Sequence, residues 1–124
     1  MQQLPAGLQA ALRAGLTCDI TTYGRKSGQA RRLEIWYFVV DGHVYISGTP
    51  GTRDWYANLQ ANPAMILHVK EGATADLPAR AALILDPAER RRIMMVITQA
   101  NSYFHDGDIE DWVTGSPLIR VDLL

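Results

Sequence analysis

Hydrophobic and polar positions change period several times along the chain, and the changes divide it into short elements. Between Pro5 and Ala14, Leu8, Ala11 and Leu12 recur at i, i+3 and i+4, which predicts a short amphipathic helix ended by Gly15. From Asp19 to Tyr23 the run Ile20-Thr21-Thr22 is β-prone and leads into a turn from Gly24 to Gly28. In the strand predicted over Arg31 to Val40, Leu33, Ile35, Tyr37 and Val39 form a purely apolar parity; Arg32, Glu34, Trp36, Phe38 and Val40 form the other. Such a strand is buried on both faces in its second half, with the core on one side and a partner or helix on the other. Its first half looks onto something polar, beside the basic turn. Asp41-Gly42 predicts a hairpin to a strand over residues 43 to 47.

Residues 48 to 53 form a loop punctuated by Gly and Pro, with Thr52 placed to N-cap a helix carrying Trp55, Tyr56 and Leu59, which Asn62-Pro63 stops. A strand over 64 to 69 turns at Glu71-Gly72, and another follows from about Ala79 to Leu85. Asp86, Pro87 and Glu89 suit the N-cap, N1 and N3 positions of a helix whose core stripe is Ile93, Val96, Ile97 and Ala100. Arg90, Arg91 and Arg92 are assigned to its solvated face. An irregular acidic stretch around His105 to Asp111 precedes a closing strand at 118 to 123. About six strands and three helices, joined mostly by hairpins, predict a mainly β (α+β) fold, a small antiparallel barrel with peripheral helices.

Composition narrows the function. A chain of 124 residues suits one domain, 1–124, in which 1–16 is an N-terminal helical segment. A net charge of −1 and a pI near 6.3 argue against a general nucleic-acid partner. Lone Cys18 excludes an internal disulfide and suits a reducing compartment. His43, His68 and His105 show no ligand-like spacing, so strand, surface or loop roles and no metal are expected. No apolar run approaches the roughly 20 residues of a membrane span, and the start has no signal-peptide core; a cytoplasmic location is expected.

Against this balanced background, residues 25 to 32 hold four of the twelve cations and no acid. In Gly24-Arg25-Lys26-Ser27-Gly28 the glycines permit a tight turn with inward amides, Ser27 offers a hydroxyl, and Arg25 and Lys26 supply charge. A phosphate suits that chemistry; so does water around an ordinary hairpin turn, and this is not a nucleotide-binding loop of the Gly-x-x-x-x-Gly-Lys type. Arg31 and Arg32 extend the charge onto the next strand. The 47 to 53 loop, with Thr49, Gly51, Thr52 and Arg53 ahead of a helix, is a second candidate for the same anion. Trp36, Phe38, Trp55 and Tyr56 can wall a flat ring or simply pack the core. There is no Gly-x-Ser-x-Gly elbow, and Cys18 has no basic neighbour.

The patterns T-T-x-G-R-x-S-G, R-R-x-x-[IL]-W-[YF], D-G and W-[YVA]-x-N-L-x-x-[ND]-P follow in register here, and a D-x-x-E-R helix start and a closing V-D-L strand bring coverage to most of the chain. Together they resemble the deazaflavin-dependent nitroreductase and quinone reductase family of the split β-barrel flavin-binding superfamily. The resemblance implies a six-stranded antiparallel split β-barrel, commonly a homodimer, binding F420 or alternatively FMN across a groove. It implies Arg25, Lys26, Ser27, Arg31 and Arg32 as phosphate-tail contacts from one loop and Thr49, Gly51 and Arg53 from the other. Trp36, Tyr37, Trp55 and Asn58 are implied as pocket or framework residues, Asn58 tying its helix to the barrel. Glu34 stands where many relatives carry Pro, the 47 to 53 loop is shorter than in nitro-reducing members, and Tyr103 is the only late tyrosine for a substrate side. The function implied is an oxidoreductase passing hydride to a small quinone, enone or nitro compound. A barrel that sequesters the cofactor without turnover, and a structural dimer with a merely solvated turn, are the alternatives.

Overall fold

Alternating apolar residues close six extended segments into a barrel in the computed structural model, which describes residues 1–100 and 108–124; Tyr103 and His105 lie outside the described residues. The strands are β1 (Thr17–Tyr23), β2 (Ala30–Val40), β3 (His43–Ser47), β4 (Ala64–Val69), β5 (Ala75–Leu83) and β6 (Leu118–Leu123). All neighbours are antiparallel, in the closed order β1-β2-β3-β6-β5-β4. The described helices are α1 (Ala6–Ala14), α2 (Asp54–Ala61), α3 (Pro87–Ala100) and α4 (Ile109–Gly115). None is long and apolar enough to cross a membrane. Asp41 and Gly42, at φ of 52° and 75°, make the tight β2–β3 turn, a left-handed pair that matches strand twist.

One parity of every strand fills the barrel: Ile20, Tyr37, Ile46, Leu67, Ala81 and Ile119 meet there, and Leu12 of α1 and Leu59 of α2 pack against them. The Tyr37 hydroxyl donates to the Leu12 carbonyl at 2.7 Å, which moors α1 to the barrel. Burial pushes that phenol up to about 12, so it remains a donor. A second core lies outside the barrel, where Val40 and Tyr45 pack with Ile93, Met94 and Ile97 of α3, Trp112 and Val113 of α4, and Phe38. The double apolarity of β2 is thus met within the chain by helices.

Register decides where the barrel opens. Ala30 to Trp36 of β2 pair with Tyr23 to Thr17, but only Tyr37 to Val40 pair with β3. The first half of β2 therefore carries its strand ladder on one side alone, and its other edge faces the loop that follows β3.

Several expectations needed correction. β5 starts at Ala75 rather than Ala79 and contains Pro78. Pro78 is tolerated because its carbonyl accepts from Leu124 N at 3.1 Å, so its nitrogen also points to that side, away from β4. Arg53, with no side-chain cap, occupies the N-cap of α2 in place of Thr52. The Asp86 cap is present, accepting from Glu89 N at 3.0 Å, but the α3 stripe is Ile93, Met94, Ile97 and Thr98, while Val96 and Ala100 are exposed. Arg90 is buried, not solvated; its guanidinium donates to the carbonyls of Val113 at 2.7 Å, Ile84 at 2.8 Å and Ser116. α4 falls in part of the acidic stretch read as irregular, opened by Asp108, which accepts from Glu110 N at 3.0 Å.

Candidate functional site

The basic turn is held by its own backbone. Gly24 N donates to Gln29 O at 2.9 Å and Gly28 N to Gly24 O at 2.8 Å. Gly28 has φ of +72°, the left-handed region that glycine enters freely. A Cβ on Gly24 would lie 2.7 Å from Ser27 Oγ, so a larger residue there would displace that hydroxyl from Gln29 N. Ser27 Oγ accepts from Gln29 N at 3.2 Å.

Arg25 is pinned toward α2. Its backbone N–H and its Nη1 donate to Asn58 Oδ1 at 3.1 and 2.9 Å, and Nη2 lies 3.4 Å from the exposed carboxylate of Asp54. Asn58 is buried, and this double acceptance joins helix to turn. Lys26 and Arg31 have no carboxylate within ion-pair distance among the described residues. Between these groups lies a cavity of about 370 Å³ lined by Arg25, Lys26, Ser27, Arg31, Trp55 and Thr22. The Thr22 hydroxyl is buried without a hydrogen-bond partner among the described residues, an arrangement costing about 1–3 kcal/mol unless a ligand or water completes it.

An adjoining cavity of about 570 Å³ shares Leu33 and Trp55 with the first and continues past Trp36 to Ser47, Thr49 and Arg53. It lies along the β2 edge that β3 leaves uncovered. Arg53 folds back on its loop, donating to Thr49 O at 3.0 Å, Thr49 Oγ1 at 2.6 Å and Thr52 O at 2.9 Å. Trp55 is buried, edge-on to Tyr56 with ring centroids 5.8 Å apart; Trp36 remains 40% exposed. The two cavities together make one groove, cationic at the turn and aromatic in the middle.

Eight of the ten residues singled out in the sequence line this groove: Arg25, Lys26, Ser27, Arg31, Trp36, Thr49, Arg53 and Trp55. Gly51, at φ of +132°, instead lines a cavity beyond the loop, which Arg53 also borders. Arg32 has the opposite parity from Arg31 and donates to Asp19 at 3.0 Å on the outside of the barrel. Lys70 completes that network, reaching Asp19 at 2.8 Å and Glu34 at short range. Hydrogen bonds from Lys70, then Arg32, hold the Asp19 carboxyl below its ordinary value. Glu34 therefore stands beside the groove with its charge answered, which removes most of its repulsion toward an anion.

Thr22 and Leu33 were not singled out as site residues. Their signal was strand parity, since Thr22 shares the inward face with Cys18 and Ile20, and Leu33 with Tyr37. Asp54 was missed because its role depends on α2 lying over the turn. His68 is a satisfied strand histidine. Nδ1 lies 2.6 Å from Asp76 Oδ1, an acceptor, so Nε2, 2.7 Å from Thr21 Oγ1, accepts when the ring is neutral.

Comparison with known proteins places the fold and the family. The F420H(2)-dependent quinone reductase family model matches residues 9–110. A solved F420 reductase superposes with TM-score 0.70 at 16% identity, over 98% of this chain and 96% of the other. A FAD-binding protein from Mesorhizobium loti gives 0.67 at 18% identity, over 98% and 91%. A structure described as a domain-swapped dimer gives 0.64 at 20% identity, over 86% and 79%. At such identities the solved structures establish the shared barrel alone, and the family match over most of the length establishes the family. The chain belongs to the F420H(2)-dependent quinone reductase family.

Proposed function

We propose that the groove binds F420 and that the protein is an F420-dependent reductase of a small electrophile. The observation that carries this is the orphaned Thr22 hydroxyl in the wall of a cavity whose cations Lys26 and Arg31 have no carboxylate partner among the described residues, the one acid of the lining, Asp54, being turned to Arg25. A phosphate at that end accepts from Thr22, Lys26 and Arg31 at once, and the pinned Arg25 adds its remaining N–H groups. Trp55 and Leu33 offer the flat apolar wall between the two cavities, and Thr49 and Arg53 close the far end. The bound reduced deazaflavin supplies hydride to a quinone, enone or nitro acceptor. The chain's own part is to orient the ring plane, hold the phosphate tail and exclude water. No described side chain at the groove is assigned a proton-transfer step.

Titration of the purified protein with F420 and with FMN, followed by absorbance and fluorescence, tests the assignment. Saturable F420 binding that falls about 10- to 100-fold in Lys26→Gln/Arg31→Gln agrees with the loss of two charge-assisted contacts. Binding unchanged by that double substitution removes the site. Preference for FMN makes the ligand a flavin, and tight binding without reduction of menadione makes the protein a sequestering one.

The working form is a homodimer. Leu16, Trp36 and Val96, exposed by 57%, 40% and 42%, border one apolar cavity beside the groove, and a related barrel is described as a domain-swapped dimer. A monomer in sedimentation at micromolar concentration would overturn this. The unpaired thiol of Cys18 fits a reducing cytoplasm.

A further inference from the structure

Beyond the 48–53 loop, on the side away from the groove, lies a third cavity of about 420 Å³ between α2, the start of α3 and the end of α4. Its lining includes Arg53, Arg90, Tyr56, Gln60, Thr114 and Ser116, with no Asp or Glu. Arg90 is 8% exposed, yet has no carboxylate partner among the described residues. By contrast Arg25, Arg32, Arg91, Arg92 and Arg120 each face a carboxylate. The three carbonyls that Arg90 engages, two of them at the C-terminal end of α4, offset part of its desolvation with dipoles but supply no counter-charge. A guanidinium has five N–H groups, so two are left over. Arg53, also in the lining, likewise meets only carbonyls and a hydroxyl among the described residues. The hydroxyl of Ser116, another lining residue, is buried with no hydrogen-bond partner among the described residues.

We infer that this cavity is a second ligand site, for an oxyanion: the carboxylate or phosphate group of a small molecule. Two cations without counter-charge and an orphaned hydroxyl are what such a group satisfies in one step, and Tyr56, Leu85 and Pro117 give its carbon skeleton an apolar wall. Arg53 borders both this cavity and the groove, so an anion held here also fixes the residue that closes the groove. The source is either a free metabolite or the far end of a ligand already lying in the groove.

The test uses the full chain without cofactor, so it does not depend on the F420 assignment. Inorganic phosphate and glutarate are titrated at constant ionic strength against ¹H–¹⁵N spectra. Saturable shifts are expected for the Gly115 and Ser116 amides and the Arg90 side-chain N–H. Arg90 holds three carbonyls and its loss endangers folding, so the variants are Gln60→Glu and Thr114→Glu, at exposed rim positions. Each places a carboxylate at the mouth and is expected to weaken binding by about tenfold or more. Lys26→Gln, in the groove, leaves these shifts unchanged. Absence of saturation at Gly115 and Ser116, or equal binding by the Glu variants, overturns the site. Repeating the phosphate titration with F420 bound separates the sources: a lost response means the groove ligand's own oxyanion fills the cavity, and a retained one means a separate molecule does.

Discussion

Replacing Arg90 with leucine isolates the clamp that joins α3 to the end of α4. The substitution keeps much of the apolar bulk and removes three hydrogen bonds, to Val113, Ile84 and Ser116. Each hydrogen bond to a charged group contributes about 1.5–3 kcal/mol, and the carbonyls left behind are buried. Removing the guanidinium also removes its desolvation penalty, which offsets several kcal/mol of that loss. The net destabilisation expected is about 3 kcal/mol. With an unfolding entropy of about 2.1 cal/mol/K per residue, 124 residues give about 0.26 kcal/mol/K, so Tm falls by about 12 °C. Thermal melts by near-ultraviolet circular dichroism, with Trp112 fluorescence reporting on the outer core, measure it. Arg90→Lys, which retains charge but not the planar fork, is expected to fall between wild type and Arg90→Leu. A Tm for Arg90→Leu within about 2 °C of wild type would show that the three bonds only cancel the desolvation cost and that the clamp holds nothing.

The other expectations concern the polar outer face and the barrel interior. Because the Asp19 carboxyl is held below 3.8 when folded, its stabilising contribution is present above that value and lost as pH falls through the folded pKa; Asp19→Asn should flatten the acid limb of a stability–pH curve. An unchanged acid limb would assign acid sensitivity to other carboxylates. Burial, reinforced by Asp19, pushes the Cys18 thiol up to about 12, so Ellman's reagent at neutral pH should label it only after denaturation. Prompt labelling of the native protein would contradict its burial. Lys70→Met should weaken F420 binding by releasing the charge of Glu34 beside the groove, and Glu34→Gln in the same background should restore it. No recovery in the double variant would place the effect elsewhere.

Local signals were the legible ones. β3, β4 and β6 begin and end where alternation and turn residues put them, and the Asp86 cap was readable from three residues. The β5 start was not, because Pro78 reads as a breaker until the short reach of β6 is known. α3 was recognised, but Val96 and Met94 exchanged roles, since i, i+3, i+4 spacing admits two phases and the neighbours choose between them. Arg90 looked like its exposed neighbours Arg91 and Arg92; only the position of α4 explains its burial. At the groove, eight residues came together because they lie on or beside one hairpin, β2–β3. The partner of Glu34 lies 36 residues away on the chain, reached only once β4 closes against β1.

The half-paired length of β2 has a consequence outside ligand binding. A strand edge left open beside a groove is also a template for another chain's backbone, and this length of β2 is a place where chains can join by strand addition. Arg31, Arg32 and Glu34 put charge of both signs along that stretch, where an incoming apolar strand would have to strip water from them. The charges of this stretch, among them Arg31 at the groove, thus also act as gatekeepers. Replacing them with neutral residues to weaken binding should be monitored for aggregation, since the same substitutions uncover the edge.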